Sequence, residues 1–329
     1  MHTRTLGKTG YQVSEIGLGC WQLGGDFGPV EDDTANAILH TALSSGINFW
    51  DTADVYGGGA SERRIRAFLQ ASGDGAPAPI IATKVGRGDG LYPDEYSYAG
   101  VRASLESSAD RLGVETIDLA QLHCVPPQVL QQGDIFTWME DLRRAGLIRH
   151  WGASVETIAE AFTCLEQPGI ASLQIIFNLF RQDAAEALLD TAHEREVGII
   201  VRLPLASGLL TGKLTKETTF APSDHRNYNR DGAAFSVGET FSGIPFEPGL
   251  ALVRELSRYL PQTTDMATQA LRWILDHEAV STVIAGASRP QQVLANAHAS
   301  SCPPLTESTH EQLAEFYRRQ VRPDIRGNI

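Results

Sequence analysis

The stretch FWDTADVYGGG at 49–59 ends an apolar run on Asp51 and places a phenol, Tyr56, five residues later on a glycine-rich loop. Two further apolar runs carry ionisable groups near their ends: IIATKV reaches Lys84, and IDLAQLH closes on His123. Singly, each has an ordinary explanation. An Asp after a strand commonly caps a turn, a strand-end Lys sits in solvent, and a strand-end His is structural. Together they suggest proton transfer. A tyrosine hydroxyl titrates near ~10 in water, so at neutral pH it is a reluctant acid or base. A neighbouring ammonium favours the phenolate and lowers that value, and Lys84 is placed to supply it. Asp51 would keep Lys84 charged and oriented, while His123 would hydrogen-bond the reacting oxygen. Such a set can protonate a carbonyl oxygen while hydride reaches the carbon, and it requires no metal.

The elements that must position these residues alternate along the chain. Short apolar segments recur at 15–20, 48–53, 79–85, 117–123, 150–154, 172–178, 198–204 and 281–287. Most are continuous rather than alternating, as parallel strands covered by helices should be. Amphipathic stretches fill the gaps. In 134–146, Ile135, Trp138, Met139 and Leu142 follow helical spacing, with Asp134 as the expected N-cap and Gly146 as the stop. Ile158, Phe162 and Leu165 mark one face of a helix after Ser154. Eight such units predict an α/β chain folded as a (β/α)8 TIM barrel, a single domain over 1–329. A doubly wound sheet is the alternative, but no GxGxxG follows an early strand. In a barrel, catalytic groups gather at the C-terminal strand ends, where Asp51, Lys84 and His123 would fall.

Two additions to the plain barrel are expected. RTLGKTGYQVS at 4–14 reads as an N-terminal β-hairpin through Gly7 and Gly10, placed to plug the barrel's bottom. A long loop joins the seventh barrel strand to its helices at 248–260 and 265–277; its 206–247 part is rich in Gly, Ser, Asn and Asp. A loop of that length is usually functional.

Composition narrows the partners. With 42% hydrophobic residues the chain can bury a sizeable core, and a net charge of -13 argues against nucleic acid or an anionic membrane. Any anionic ligand needs a local basic site. Cys20, Cys124, Cys164 and Cys302 lie far apart without zinc spacing and read as reduced thiols. No HExxH or clustered ligand set is visible, so no metal is expected. The start lacks an apolar signal region and no stretch reaches membrane-span length, so a soluble cytoplasmic protein is expected.

WDTADVYG, IIATKVG, AQLHCV, PLASGLLTGK and GASRPQQVLANA occur in this order, and with them the chain resembles the aldo-keto reductases nearly from residue 4 to residue 300. The resemblance implies a barrel that binds a nicotinamide dinucleotide without a Rossmann fold. It maps a catalytic tetrad onto Asp51, Tyr56, Lys84 and His123, with Tyr56 as general acid/base. Ser154 and Gln174 match positions that hold the nicotinamide carboxamide, although Ser154 also reads as an N-cap. Many members carry Asn after that serine, whereas Val155 stands here and offers no side-chain hydrogen bond. Arg202 falls where many members stack an aromatic ring on the nicotinamide. An arginine inside an apolar strand is costly to bury unpaired, and a guanidinium can stack on a ring. It is therefore expected beside the nicotinamide, disfavouring the cationic oxidised form.

PLASGLLTGK resembles the pyrophosphate-covering segment, which puts Pro204, Leu205, Ser207, Gly208, Leu210 and Lys213 at the cofactor, with Leu209 nearby. Gly286, Ser288, Arg289, Gln292 and Asn296 match positions around the adenosine 2'-phosphate and adenine, at a helix start that favours an anion. Arg289 favours NADP(H) over NAD(H), because a monoester phosphate rewards a guanidinium; the plainer reading makes Arg289 and Pro290 a helix start. Trp21 and Asp51 also count among the cofactor contacts. Trp21, Tyr56 and His123 are expected to meet the substrate, a small-molecule carbonyl compound or sugar. Residues 125–132 and 218–243 should shape the opening, and the polarity of the latter favours hydroxylated substrates. Trp151 and Phe177 read as barrel packing. Two other functions remain open: a cofactor-sensing subunit like the potassium-channel beta subunits, which would bind cofactor without turnover, and a Lys84 Schiff-base aldolase or isomerase, which borohydride would trap.

Overall fold

The eight apolar segments pair side by side and close on themselves. The computed structural model describes residues 1–73, 78–262 and 264–329. β1 (Thr3–Thr5) and β2 (Gln12–Ser14) form an antiparallel hairpin. The barrel follows as β3 (Ile16–Gly19), β4 (Phe49–Asp51), β5 (Ile80–Val85), β6 (Ile117–His123), β7 (Ile148–Ser154), β8 (Ser172–Ile176), β9 (Gly198–Arg202) and β10 (Val280–Gly286). Each strand lies parallel to its neighbour in chain order, and β10 pairs with β3 to close the ring. This is the expected (β/α)8 TIM barrel.

Alternation along each strand separates two cores. Outward residues pack on the helical ring: Trp50 lies 5.7 Å from Phe68, Trp151 stacks on Phe136, and Phe177 meets Trp273 at 4.9 Å. Trp151 and Phe177 are thus barrel packing, as read from the sequence. Inside, Phe49, Ala82, Leu119, Ile200 and Ile284 form a separate apolar cluster with Leu6 and Val13 of the hairpin. The hairpin therefore plugs the bottom. Its seat is tight: Lys8 N donates to Glu196 O at 2.8 Å, and a Cβ on Gly7 (φ +47) would stand 2.4 Å from Gly198 N. Leu6 is fully buried, so Leu6→Ala should cost about 3 kcal/mol in urea unfolding. Because the plug lies opposite the mouth, the same variant should bind ligands there with unchanged affinity.

Helix boundaries correct two expectations. Asp134 is the first residue of helix Asp134–Arg144, not its cap; Gly133, at φ 85, closes the short helix Pro127–Gln132 and opens the next. Asp134 still favours the helix from its first turn through the dipole. Ser154 does not cap the following helix, Ile158–Leu165, because Thr157 does so in a reciprocal capping box with Glu160. The long connection after β9 contains short helical turns at Ala206–Thr211, His225–Tyr228, Val237–Glu239 and Phe241–Gly243 before helices Phe246–Leu256 and Met266–Leu275. All four cysteines are free. Among the described residues no helix is long and apolar enough to cross a membrane.

Candidate active site

Strand register brings distant residues together. Lys84 pairs with Gln121, His123 with Ser154, and Ser154 with Gln174 on adjacent strands. Two residues above the apolar inner layer, the same faces carry Asp51, Lys84, Gln121 and Arg202. The barrel interior is thus apolar below and polar at its mouth.

Lys84 is completely buried, and each of its three N–H groups has an acceptor: Asp51 Oδ1 at 2.5 Å, Thr52 O at 2.8 Å and Tyr56 Oη at 3.1 Å. Burial works against the ammonium, but the Asp51 carboxylate and the Tyr56 oxygen outweigh it and hold the Lys84 pKa above its ordinary value. Asp51 Oδ2 accepts from Gln121 Nε2 at 3.0 Å and Gln174 Nε2 at 2.7 Å. Lys84 pulls the Tyr56 pKa down, as expected, yet burial outweighs it and Asp51 opposes it, so the phenol is pushed up to about 12. Tyr56 therefore rests protonated rather than as a primed phenolate. Its ring is half-buried, open to the cavity. His123 is held neutral: burial, then the charges of Arg87 and Lys84, drive its pKa well below the usual histidine range. Its Nδ1 has no hydrogen-bond partner among the described residues. The glycine after Tyr56 fixes the loop rather than freeing it. A Cβ on Gly57 would fall 2.2 Å from Gly24 O, so any side chain there would displace the tyrosine.

A cavity of about 690 Å³ runs from these groups to the turn after β10. Trp21, Asp51, Tyr56, His123, Ser154, Gln174, Arg202, Pro204, Leu205, Ser207, Gly208, Lys213, Gly286, Ser288, Arg289, Gln292 and Asn296 all line it. Lys84 stands behind Tyr56 rather than in the wall. Leu210 does not reach the cavity either. The turn at Ala206 and Ser207, both at positive φ, sends Leu209 and Leu210 into the core. Residues 125–132 are likewise absent from the wall: Cys124, at φ 46, turns the chain away, and Val125 and Leu130 are buried in the core. Arg87 and Tyr92, on the connection after β5, line that wall instead.

The far end gathers polar and basic side chains: Lys213, Ser288, Arg289, Gln292 and Asn296. Gln292 Oε1 accepts from Ser288 N at 2.8 Å and from Ser288 Oγ at 3.1 Å, and Asn296 Nδ2 donates to Gly286 O at 3.5 Å. This bracing sets the turn at the start of helix Pro290–His298, with the exposed Arg289 as its N-cap residue. Arg289 has no ion-pair partner among the described residues. Near the tetrad, Ser154 Oγ donates to Gln174 Oε1 at 3.3 Å. Beside them Arg202 donates to Glu239 Oε2 at 3.2 Å and to Val155 O at 3.1 Å. The long loop is polar in sequence, but it turns Tyr228, Ala234 and Phe235 towards the cavity. Trp21 stacks on Tyr56 at 5.8 Å and packs against His225 at 4.7 Å, making an aromatic rim.

Sequence reasoning missed Gln22, Asp26, Arg87, Gln121 and Glu239. Gln121 had a signal, lying two residues before His123 on the same strand face, and Gln22 follows Trp21 directly. Glu239 had none, because its partners come from two other segments. Nor did any spacing reveal that Cys124, Glu156 and Glu239 bring ligand-type atoms within 4.8 Å of one another. Arg87 and Arg202 already match the charge of those carboxylates.

A closed parallel barrel with Asp51, Tyr56, Lys84 and His123 gathered at its mouth is distinct from doubly wound dinucleotide-binding folds. The aldo/keto reductase family model matches residues 15–318, and the chain belongs to that family of nicotinamide-using oxidoreductases that act on carbonyls and sugars. It is 30% identical over 300 residues to Aldo-keto reductase YhdN of Bacillus subtilis, covering 89% of this chain and 87% of that protein. It is 28% identical over 317 residues to a D-threo-aldose 1-dehydrogenase of Pseudomonas sp, covering 88% and 89%. The holo form of aldo-keto reductase AKR11C1 from Bacillus halodurans superposes with a TM-score of 0.77 at 27% identity, covering 96% of each chain. The glycerol dehydrogenase AKR11B4 from Gluconobacter oxydans does so with 0.77 at 27%, covering 99% and 98%.

Proposed function

We propose that the protein is an NADP(H)-dependent oxidoreductase, one barrel domain over 1–329, that interconverts an aldehyde, ketone or aldose carbonyl with its alcohol. The observation that carries this reading is Lys84 Nζ bridging Asp51 Oδ1 and Tyr56 Oη at the floor of the cavity. Four free cysteines fit a reducing cytoplasmic setting.

The cavity fits a dinucleotide. Its volume lies in the range of small-molecule sites, roughly 300–1,000 Å³. Gln22 and Arg202 border it, and each holds a buried atom, Oε1 and Nε, without a hydrogen-bond partner among the described residues. Ser154 and Gln174 would hold the carboxamide, the backbone around Ser207 and Gly208 the pyrophosphate, and Ser288, Arg289, Gln292 and Asn296 the adenosine end. Arg202 would stand beside the nicotinamide. Hydride is the chemistry that such a cofactor supplies.

In the reducing direction, Tyr56 Oη gives its proton to the carbonyl oxygen, and Lys84 steadies the phenolate left behind. Asp51 keeps Lys84 charged through that step. Neutral His123 donates an N–H to the same oxygen. In the oxidising direction the phenolate, steadied by Lys84, accepts the proton of the alcohol. The aromatic rim offers flat apolar faces, while Arg87 and Asp26 offer polar contacts. The names of two relatives, an aldose dehydrogenase and a glycerol dehydrogenase, support a hydroxylated substrate.

The test is loss of NADPH absorbance against a panel of aldehydes, ketones and aldoses, alongside direct NADPH titration. Turnover with any of them supports the reading, and stoichiometric binding without turnover would favour a cofactor-sensing subunit. For cofactor choice, Arg289→Ala should weaken NADPH about a hundredfold and NADH less than threefold, since only the former has the 2'-phosphate. Equal losses for both would remove the preference for NADP(H).

A further inference from the structure

Glu156 behind the cavity wall, and Arg87 and Glu239 within it, form a compact set of charges around Arg202. Its buried guanidinium meets Glu239 at 3.2 Å, and its Nη2 lies 3.6 Å from Cys124 Sγ. Glu239 is shared, its Oε1 lying 2.5 Å from Arg87 Nη2, and the same Arg87 nitrogen reaches Glu156 Oε1 at 2.7 Å. Two guanidinium groups thus face two carboxylates, assembled from the β5 turn, the β7 and β9 ends and the long loop.

We infer that this cluster sets the protein's relative affinity for oxidised and reduced nicotinamide cofactor, with Glu156 as the residue that tunes it. The inference rests on the cofactor assignment proposed above. The oxidised ring is cationic and the reduced ring is neutral, so the net charge of the wall acts on one and hardly on the other. With both carboxylates ionised the cluster is balanced, and Arg202 then repels the oxidised ring far less than a lone guanidinium would. Remove one negative charge and the wall becomes net positive. At this depth the effect is screened weakly.

Glu156 is the member whose charge changes near neutrality, because burial and the nearby Glu239 push its carboxyl up to about 7. Facing it are Arg87 after β5, Cys124 after β6, Arg181 and Asp183 after β8, Arg202 on β9 and Glu239 on the long loop. Glu160, on its own helix, accepts from the Glu156 backbone N–H at 2.8 Å. As pH rises through neutrality Glu156 gains a negative charge, so oxidised cofactor should gain on reduced.

The experiment measures dissociation constants for NADPH and NADP+ by calorimetry, on both sides of neutral pH, for wild type, Glu156→Gln and Arg87→Gln. Above neutrality, Glu156→Gln should raise the NADP+/NADPH ratio of dissociation constants about tenfold and flatten its pH dependence. Arg87→Gln removes a guanidinium that holds the Glu156 carboxyl down, so it should move that pH dependence to higher pH. A merely loosened site would weaken both cofactors in the same proportion. A ratio unchanged in Glu156→Gln, or a pH dependence unmoved in Arg87→Gln, would overturn the inference. If the wild-type protein takes up neither cofactor, the cofactor assignment itself falls.

Discussion

Replacing Tyr56 with phenylalanine should lower kcat about a thousandfold while leaving NADPH affinity within about twofold. The reason is geometric. Tyr56 Oη receives an N–H from Lys84 at 3.1 Å and opens on the cavity, and no other described hydroxyl sits on Lys84 there. With its pKa pushed up to about 12, the phenol holds its proton at working pH and can surrender it to an oxyanion forming in the cavity. The variant keeps the ring that stacks on Trp21 and so keeps the shape of the site. One Lys84 N–H loses its acceptor, a cost of about 1 kcal/mol in stability. Near-normal turnover, measured with the best carbonyl compound of the panel, would exclude Tyr56 as the acid.

Lys84→Met should do more, because it strikes fold and chemistry together. Asp51 and Lys84 are both almost fully buried, and removing one partner leaves a carboxylate without its countercharge. Breaking such a pair costs about 3–5 kcal/mol. Gln121 and Gln174 still donate to Asp51 Oδ2, but neither carries charge. The double variant Asp51→Asn, Lys84→Met removes both charges and should regain about 2 kcal/mol of that loss in urea unfolding. Turnover should stay absent in both, since neither can steady a phenolate. Equal stability of the single and double variants would mean that the uncompensated charge is not the source of the loss.

The parts of this molecule legible in the sequence are those that short range dictates. Continuous β-type runs between amphipathic stretches gave the barrel, and Gly7 and Gly10 marked the hairpin. Asp51, Lys84 and His123 were visible because parallel barrels expose the C-terminal ends of their strands. Balances between distant parts were not. Tyr56 titrates as burial and two charges together decide, which spacing alone cannot weigh. Glu239 finds Arg87 and Arg202 only when a long loop folds back, and Leu210 leaves the site because of a positive-φ turn at Ala206 and Ser207. The loop's polar composition likewise concealed Tyr228 and Phe235, since composition does not say which side chains turn inward.

The hairpin across the bottom of the barrel has a kinetic consequence. With Leu6 and Val13 packed into that end, reactants reach Tyr56 from the mouth above. Two reactants sharing one doorway must queue. On the proposed reading, a carbonyl compound at the aromatic rim stands outside a cofactor lodged against Ser154 and Gln174. The cofactor therefore enters first and leaves last, and its departure has to wait until the alcohol has cleared the rim.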